Sequence, residues 1–209
     1  MVNARFLTFV LALFGALTGA QSIPAVQLPD FSCVTFPAGV SEADLIRRFT
    51  VANVKAMPVV GGGAEGDSTM GTVLFPQTLD AKVEILWRDR RARAVPAVVR
   101  IVGERTRWKS GDGITLGSDL RTVERANGGP FLLGSIENPG AVRSWSEGRL
   151  AAGEAAGCRV GLTFEMNPPA KPDVRLPGSP PFRSSLQALQ TLNPTVSKMF
   201  LTYVVRPAG

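Results

Sequence analysis

The acids Glu137, Glu147, Glu154 and Glu165 fall in the second half of this chain, and any two facing each other across a cleft could flank a glycosidic bond as glycosidases require. Carboxylates are the catalytic option left because the 209 residues include no histidine. That absence removes Ser-His-Asp and Cys-His catalysis, histidine-ligated zinc and the commonest general base near neutral pH. No Gly-x-Ser-x-Gly elbow, Ser-x-x-Lys pair or Cys-x-x-Cys pair occurs. Asp67, Ser68 and Asp112 carry oxygen ligands of the kind calcium takes, without the spacing of a known calcium loop. Two cysteines far apart are too few for a zinc site. Acids in loops are ordinarily just solvated, so the sequence reads as a non-enzyme with no catalytic residue, cofactor or metal assigned.

Binding is the chemistry the residue types favour. Arg88, Arg90 and Arg91 crowd one turn directly after Trp87, and Trp108 and Trp145 sit among polar neighbours on either side of a central helix. Tryptophan offers a broad amphipathic face and arginine a forked donor, so these six residues are candidates for contact with a protein or glycan. The competing reading places the tryptophans at the ends of a small core.

The candidates need elements to hold them. Gly113 to Phe131 predicts a helix with both ends marked: Thr115 as N-cap, Leu116, Leu120 and Val123 as the apolar stripe, and Asn127-Gly128-Gly129-Pro130 as the stop. A second helix follows Ser41, with Asp44 completing a capping box, Val40 and Leu45 forming a hydrophobic staple, and Leu45, Phe49 and Ala52 buried. Strands are expected at Thr72–Phe75, Lys82–Trp87, Ala97–Val102, Phe131–Leu133, Ala141–Trp145, Arg159–Met166 and Thr195–Val205, with a helical turn at Ser185–Leu192. Gly61 to Ser68 is a glycine-rich loop that lacks the Gly-Lys-Ser/Thr ending of a phosphate cradle. The prolines of 167–181 predict a stiff extended excursion.

Setting Asp44-Leu45 beside Asp119-Leu120 gives a helix-then-hairpin unit twice. The expected class is therefore α+β: helices packed on antiparallel sheet, as two related helix-plus-hairpin halves of about 40–110 and 111–209 within one globular unit of 40–209, after an irregular arm of 21–39.

Arg5, the apolar run Phe6 to Leu17 and the small residues Thr18-Gly19-Ala20 read as a secretory signal cleaved after Ala20, which predicts a periplasmic or secreted protein without a transmembrane segment. Losing Arg5 leaves 22 basic against 17 acidic residues, a net charge near +5. An exported basic chain points to an envelope protein or anionic polymer as partner and away from nucleic acid. In that oxidising compartment Cys33 and Cys158 either pair, closing a loop that contributes up to about 4–5 kcal/mol, or remain two buried thiols.

Gly113-Ile114-Thr115, Leu120, Asn127-Gly128 and Pro130 resemble the Gly-Met-Thr…Val…Leu-Gly-x-Pro helix of small bacterial domains typified by the β-lactamase-inhibitor protein and the outer-membrane-assembly lipoproteins of the BamE/SmpA type. The helix is also similar to one in exported bacterial proteins where it precedes Asn-Gly-x-Pro-Phe. The resemblance covers about eighteen residues, with an echo at Ser41 to Asn53, and carries over no functional residue. It implies a non-catalytic periplasmic binding or inhibitory module. A carboxylate-based hydrolase of cell wall or glycan, and an envelope structural or assembly factor, are the alternatives.

Overall fold

The computed structural model describes residues 27–61, 67–134, 140–146, 148–152, 157–166 and 176–203. The segment expected to be a leader, Glu137, Glu147, Glu154, most of the glycine-rich loop and most of the proline-rich excursion lie outside them.

Helix α1 (Glu42–Phe49) begins as its sequence dictates: the Ser41 hydroxyl accepts from the Asp44 N–H while the Asp44 carboxylate accepts from the Ser41 N–H. Val40 and Leu45 are both buried, as a staple requires. The helix stops at Phe49 because Thr50 turns to φ 70°, which leaves Ala52 exposed and off the apolar stripe. Four antiparallel strands follow, β1 (Val54–Val60), β2 (Ser68–Leu74), β3 (Val83–Asp89) and β4 (Ala94–Ile101).

Helix α2 (Leu120–Asn127) starts later than Thr115. Gly117 takes φ 82°, a left-handed conformation that interrupts any helix begun upstream, and the cap passes to Asp119, whose carboxylate accepts from the Thr122 N–H. Thr115 instead donates its hydroxyl to the Trp108 carbonyl. The exit is as expected, with Gly128 left-handed at φ 80°. After it come β5 (Leu132–Leu133), β6 (Gly140–Ser144), β7 (Cys158–Glu165), β8 (Phe182–Arg183), α3 (Gln187–Leu192) and β9 (Thr195–Tyr203).

The strands form one nine-stranded antiparallel sheet in the order β1-β2-β3-β4-β9-β7-β6-β5-β8, so the architecture is broadly α+β and mostly strand. β9 lies between β4 and β7, with Met199, Leu201 and Tyr203 buried on one face. Leu45 and Phe49 of α1 and Leu120 and Val123 of α2 join these residues in a single core.

The entries of α1 and α2 are each stitched to a strand. Ser41 bridges to Ala94, with Glu42 N–H donating to the Arg93 oxygen and Val95 N–H to the Val40 oxygen. Asp119 bridges to Thr195, with Leu120 N–H donating to the Pro194 oxygen and Val196 N–H to the Ser118 oxygen. Cys33 and Cys158 form a disulfide that ties the N-terminal arm to the first residue of β7.

Candidate binding cleft

The three tryptophans do not form a contact platform. Trp108 is fully buried among Phe31, Phe36, Phe49 and Phe75, and its indole N–H donates to the Ala81 oxygen at 2.7 Å. Trp145 packs against Phe131 at 5.1 Å between ring centroids and donates to the Val160 oxygen. Trp87 is 3% exposed and donates to the Thr72 hydroxyl, which in turn donates to Glu42. With each ring enclosed and each N–H satisfied, these side chains serve the core. Truncating one to alanine would forfeit about 3–5 kcal/mol of folding stability.

The arginines behave differently. Arg88, Arg90 and Arg91 are exposed at the β3–β4 turn. The Asp89 carboxylate shapes this turn by accepting from the Ala92 N–H at 2.8 Å. Arg93 pairs with Glu42 at 2.8 Å, and Arg88 donates to the Tyr203 main-chain oxygen. Among the described residues Arg90 and Arg91 have no side-chain partner. Arg93 and Val95 hold φ 46° and 55° beside Ala94, a left-handed strain that a β-branched residue rarely tolerates; the main-chain bonds to the start of α1 hold it in place.

The β1–β2 hairpin lies next to this turn. β2 pairs with β3 only from Thr72 to Leu74, although β2 runs back to Ser68 and β3 on to Asp89. At Gly71 the two strands come so close that a Cβ would stand 2.5 Å from the Ile85 oxygen and 2.6 Å from a Val59 methyl, so only glycine fits. Beyond that point the strands part. A cleft of about 470 Å³ opens there, lined by Ser68, Thr69 and Met70 on one side and Leu86, Arg90 and Val98 on the other. Gly61 and Asp67 also line it, which brings the end of β1, the start of β2 and the arginine turn to one site.

The hairpin is held down by Arg100, which forms an ion pair with Glu84 at 2.5 Å and donates to the Val60 oxygen at 2.8 Å. Lys82 stands 3.7 Å from the same carboxylate. Pro58 explains why β1 was not expected as a strand: proline within an apolar run argues against a ladder position. Its nitrogen here points away from β2, so no ladder bond is lost.

Of the four glutamates singled out in the sequence, Glu165 lies among the described residues. Glu165 lines a different cleft of about 640 Å³ together with Glu104, both side chains exposed and neither bonded to another described residue. Asp67 lies at the β1–β2 turn and Asp112 in the segment before α2; among the described residues no three acidic or cysteine side chains gather as a metal site. Burial pushes the Tyr203 phenol well above its ordinary range, and its hydroxyl donates to the Phe36 oxygen at 2.7 Å.

No family model, curated protein or solved structure matches this chain. The Cys33–Cys158 disulfide is consistent with an oxidising, exported location. Among the described residues no helix is long and apolar enough to cross a membrane.

Proposed function

We propose that this chain is an exported binding or inhibitory protein that acts without catalysis and holds an envelope protein or anionic polymer at the β3–β4 arginine turn and the adjoining cleft. One observation carries the reading: Arg90 and Arg91 stand exposed and unpaired among the described residues, at the mouth of a cleft whose lining includes the apolar side chains of Leu86 and Val98. A cation beside a concave apolar surface is the pattern of a site that orients a charged partner. The disulfide and the predicted leader support export.

The same reading takes the chain as a tandem of two related halves, each a helix followed by strands, in line with the resemblance to tandem periplasmic inhibitor domains. The matching stitches of Ser41 to Ala94 and Asp119 to Thr195, and the meeting of the halves at the β4–β9 pair, support it. The alignment implied is Ser41 with Asp119, three residues away from the register that the sequence suggested.

The test is retention on immobilised polyglutamate. The paired variant Arg90→Glu/Arg91→Glu should elute at clearly lower salt than Arg105→Glu/Lys109→Glu, which changes net charge equally at exposed positions elsewhere. Equal elution of the two would remove the turn as the contact surface.

A second reading pairs Glu165 with Glu104, which the sequence did not single out, because they share one cleft. It requires cell-wall or glycan hydrolysis that Glu165→Gln abolishes; intact substrate after incubation with the unmodified protein would dispose of it.

A further inference from the structure

Two main-chain bonds show which way β2 directs its backbone. Gly61 N–H donates to the Asp67 oxygen and Phe75 N–H to the Asn53 oxygen, so the odd-numbered residues of β2 face β1. Because strand residues alternate sides, Ser68, Met70, Thr72 and Leu74 turn their N–H and C=O groups toward β3. Thr72 and Leu74 find Ile85 and Val83 there. Continuing that register would set Met70 opposite Trp87 and Ser68 opposite Asp89, but pairing ends at Thr72 and the cleft occupies the gap. Among the described residues nothing pairs with the N–H and C=O groups of Ser68 and Met70, which makes this a length of open strand edge.

The outer edge of β1 is blunted at its far end by contrast. Pro58 supplies no N–H at an outward-facing position, and the outward Val60 oxygen accepts from Arg100. Proline and a bound cation are devices that keep an edge from recruiting another strand. Among the described residues no such device guards Met70, which is 51% exposed.

We propose that the open edge of β2 takes up a short extended segment of a partner polypeptide as an added strand, with an acidic side chain of that segment placed against Arg90 and Arg91. This deepens the binding reading above and rests on it. The occupant is a polypeptide because the unmet groups are alternating main-chain donors and acceptors, which another extended backbone matches. It is acidic because Arg90 and Arg91 have no side-chain partner among the described residues, while the nearby Asp89 carboxylate is engaged by the Ala92 N–H and Glu42 by Arg93.

The experiment is amide hydrogen exchange followed by NMR on the mature chain, with a synthetic peptide of alternating valine and aspartate, the same peptide N-methylated along its backbone, and dextran sulfate. The peptide should slow exchange at Ser68 and Met70 by about tenfold or more, and the N-methylated form should not. Met70→Pro should abolish peptide binding while Met70→Ala keeps it, since residue 70 makes no ladder bond to β1 and either variant retains the hairpin. Dextran sulfate bound at the arginine turn without any effect of the peptide on Ser68 and Met70 would overturn the added strand and leave the wider binding reading standing. Failure of both probes to engage the turn would remove both. Protection of the same amides by a concentration-dependent dimer would also overturn the proposal, by assigning the edge to a second copy of this chain.

Discussion

The guanidinium of Arg100 donates to the main-chain oxygen of Val60 at 2.8 Å, joining β4 to β1 past two intervening strands. Gly61, the residue after Val60, lines the cleft, so the contact holds the end of β1 beside it. Arg100→Met removes charge-assisted hydrogen bonds to Val60 and Glu84 and should lower unfolding stability by about 1.5–3 kcal/mol. Glu84 is 8% exposed, so part of that loss is the cost of leaving its carboxylate with Lys82 alone. Urea denaturation should therefore show Arg100→Met/Glu84→Gln to be more stable than Arg100→Met. An unchanged midpoint in the single variant would mean that the contact does not hold the hairpin.

The helix caps predict the response to acid. The Asp44 carboxyl lies below its ordinary range because of hydrogen bonds from Ser41, with Arg47 adding to the effect. Asp119 is lowered by its hydrogen bonds with Thr122, against desolvation that pushes it the other way. A carboxyl held low in the folded state contributes stability above its unfolded value, and that contribution is lost as pH falls through the folded value. The thermal midpoint should therefore drop as pH falls below about 4. Asp119→Asn keeps a competent cap and should flatten this acid limb, while Asp119→Ala should cost about 1 kcal/mol, or about 2–4 °C, at neutral pH. Calorimetry across pH separates the two.

The disulfide gives a larger effect. Cys33 and Cys158 lie 125 residues apart, so opening the bond frees a long loop in the unfolded chain. The Cys33→Ser/Cys158→Ser variant should lose about 2–5 kcal/mol, and reduction of the unmodified protein should give the same denaturation curve. Protein purified from the periplasm should show no thiol titratable after denaturation. Two free thiols would contradict the bridge and weaken the argument for export.

Much of this fold is legible in the sequence because its signals are local. Ser41 with Asp44 marks a helix start, Gly128 marks an end, and the alternation of Val83, Ile85 and Trp87 marks a strand with those three side chains on one buried face. What escapes depends on partners distant in sequence. β1 is masked by Pro58, which only an edge position allows. The start of α2 moves from Thr115 to Asp119 because Gly117 turns left-handed and Asp119 meets Thr195. The tryptophans sit among polar neighbours in sequence, yet Trp108 and Trp145 are enclosed by phenylalanines from other elements. The arginine turn could be read directly from its composition. Its nearness to an open strand edge could not, since that depends on where the pairing of β2 with β3 ends.

The most direct measurement is chemical-shift mapping of the isotope-labelled protein during titration with an acidic peptide. The account predicts that perturbations cluster on Ser68 to Met70, Leu86, Arg90, Arg91 and Val98, and that Arg90→Glu/Arg91→Glu removes them while leaving the rest of the spectrum in place. Perturbations centred instead on the cleft of Glu104 and Glu165, or persisting in that charge-reversed variant, would contradict it.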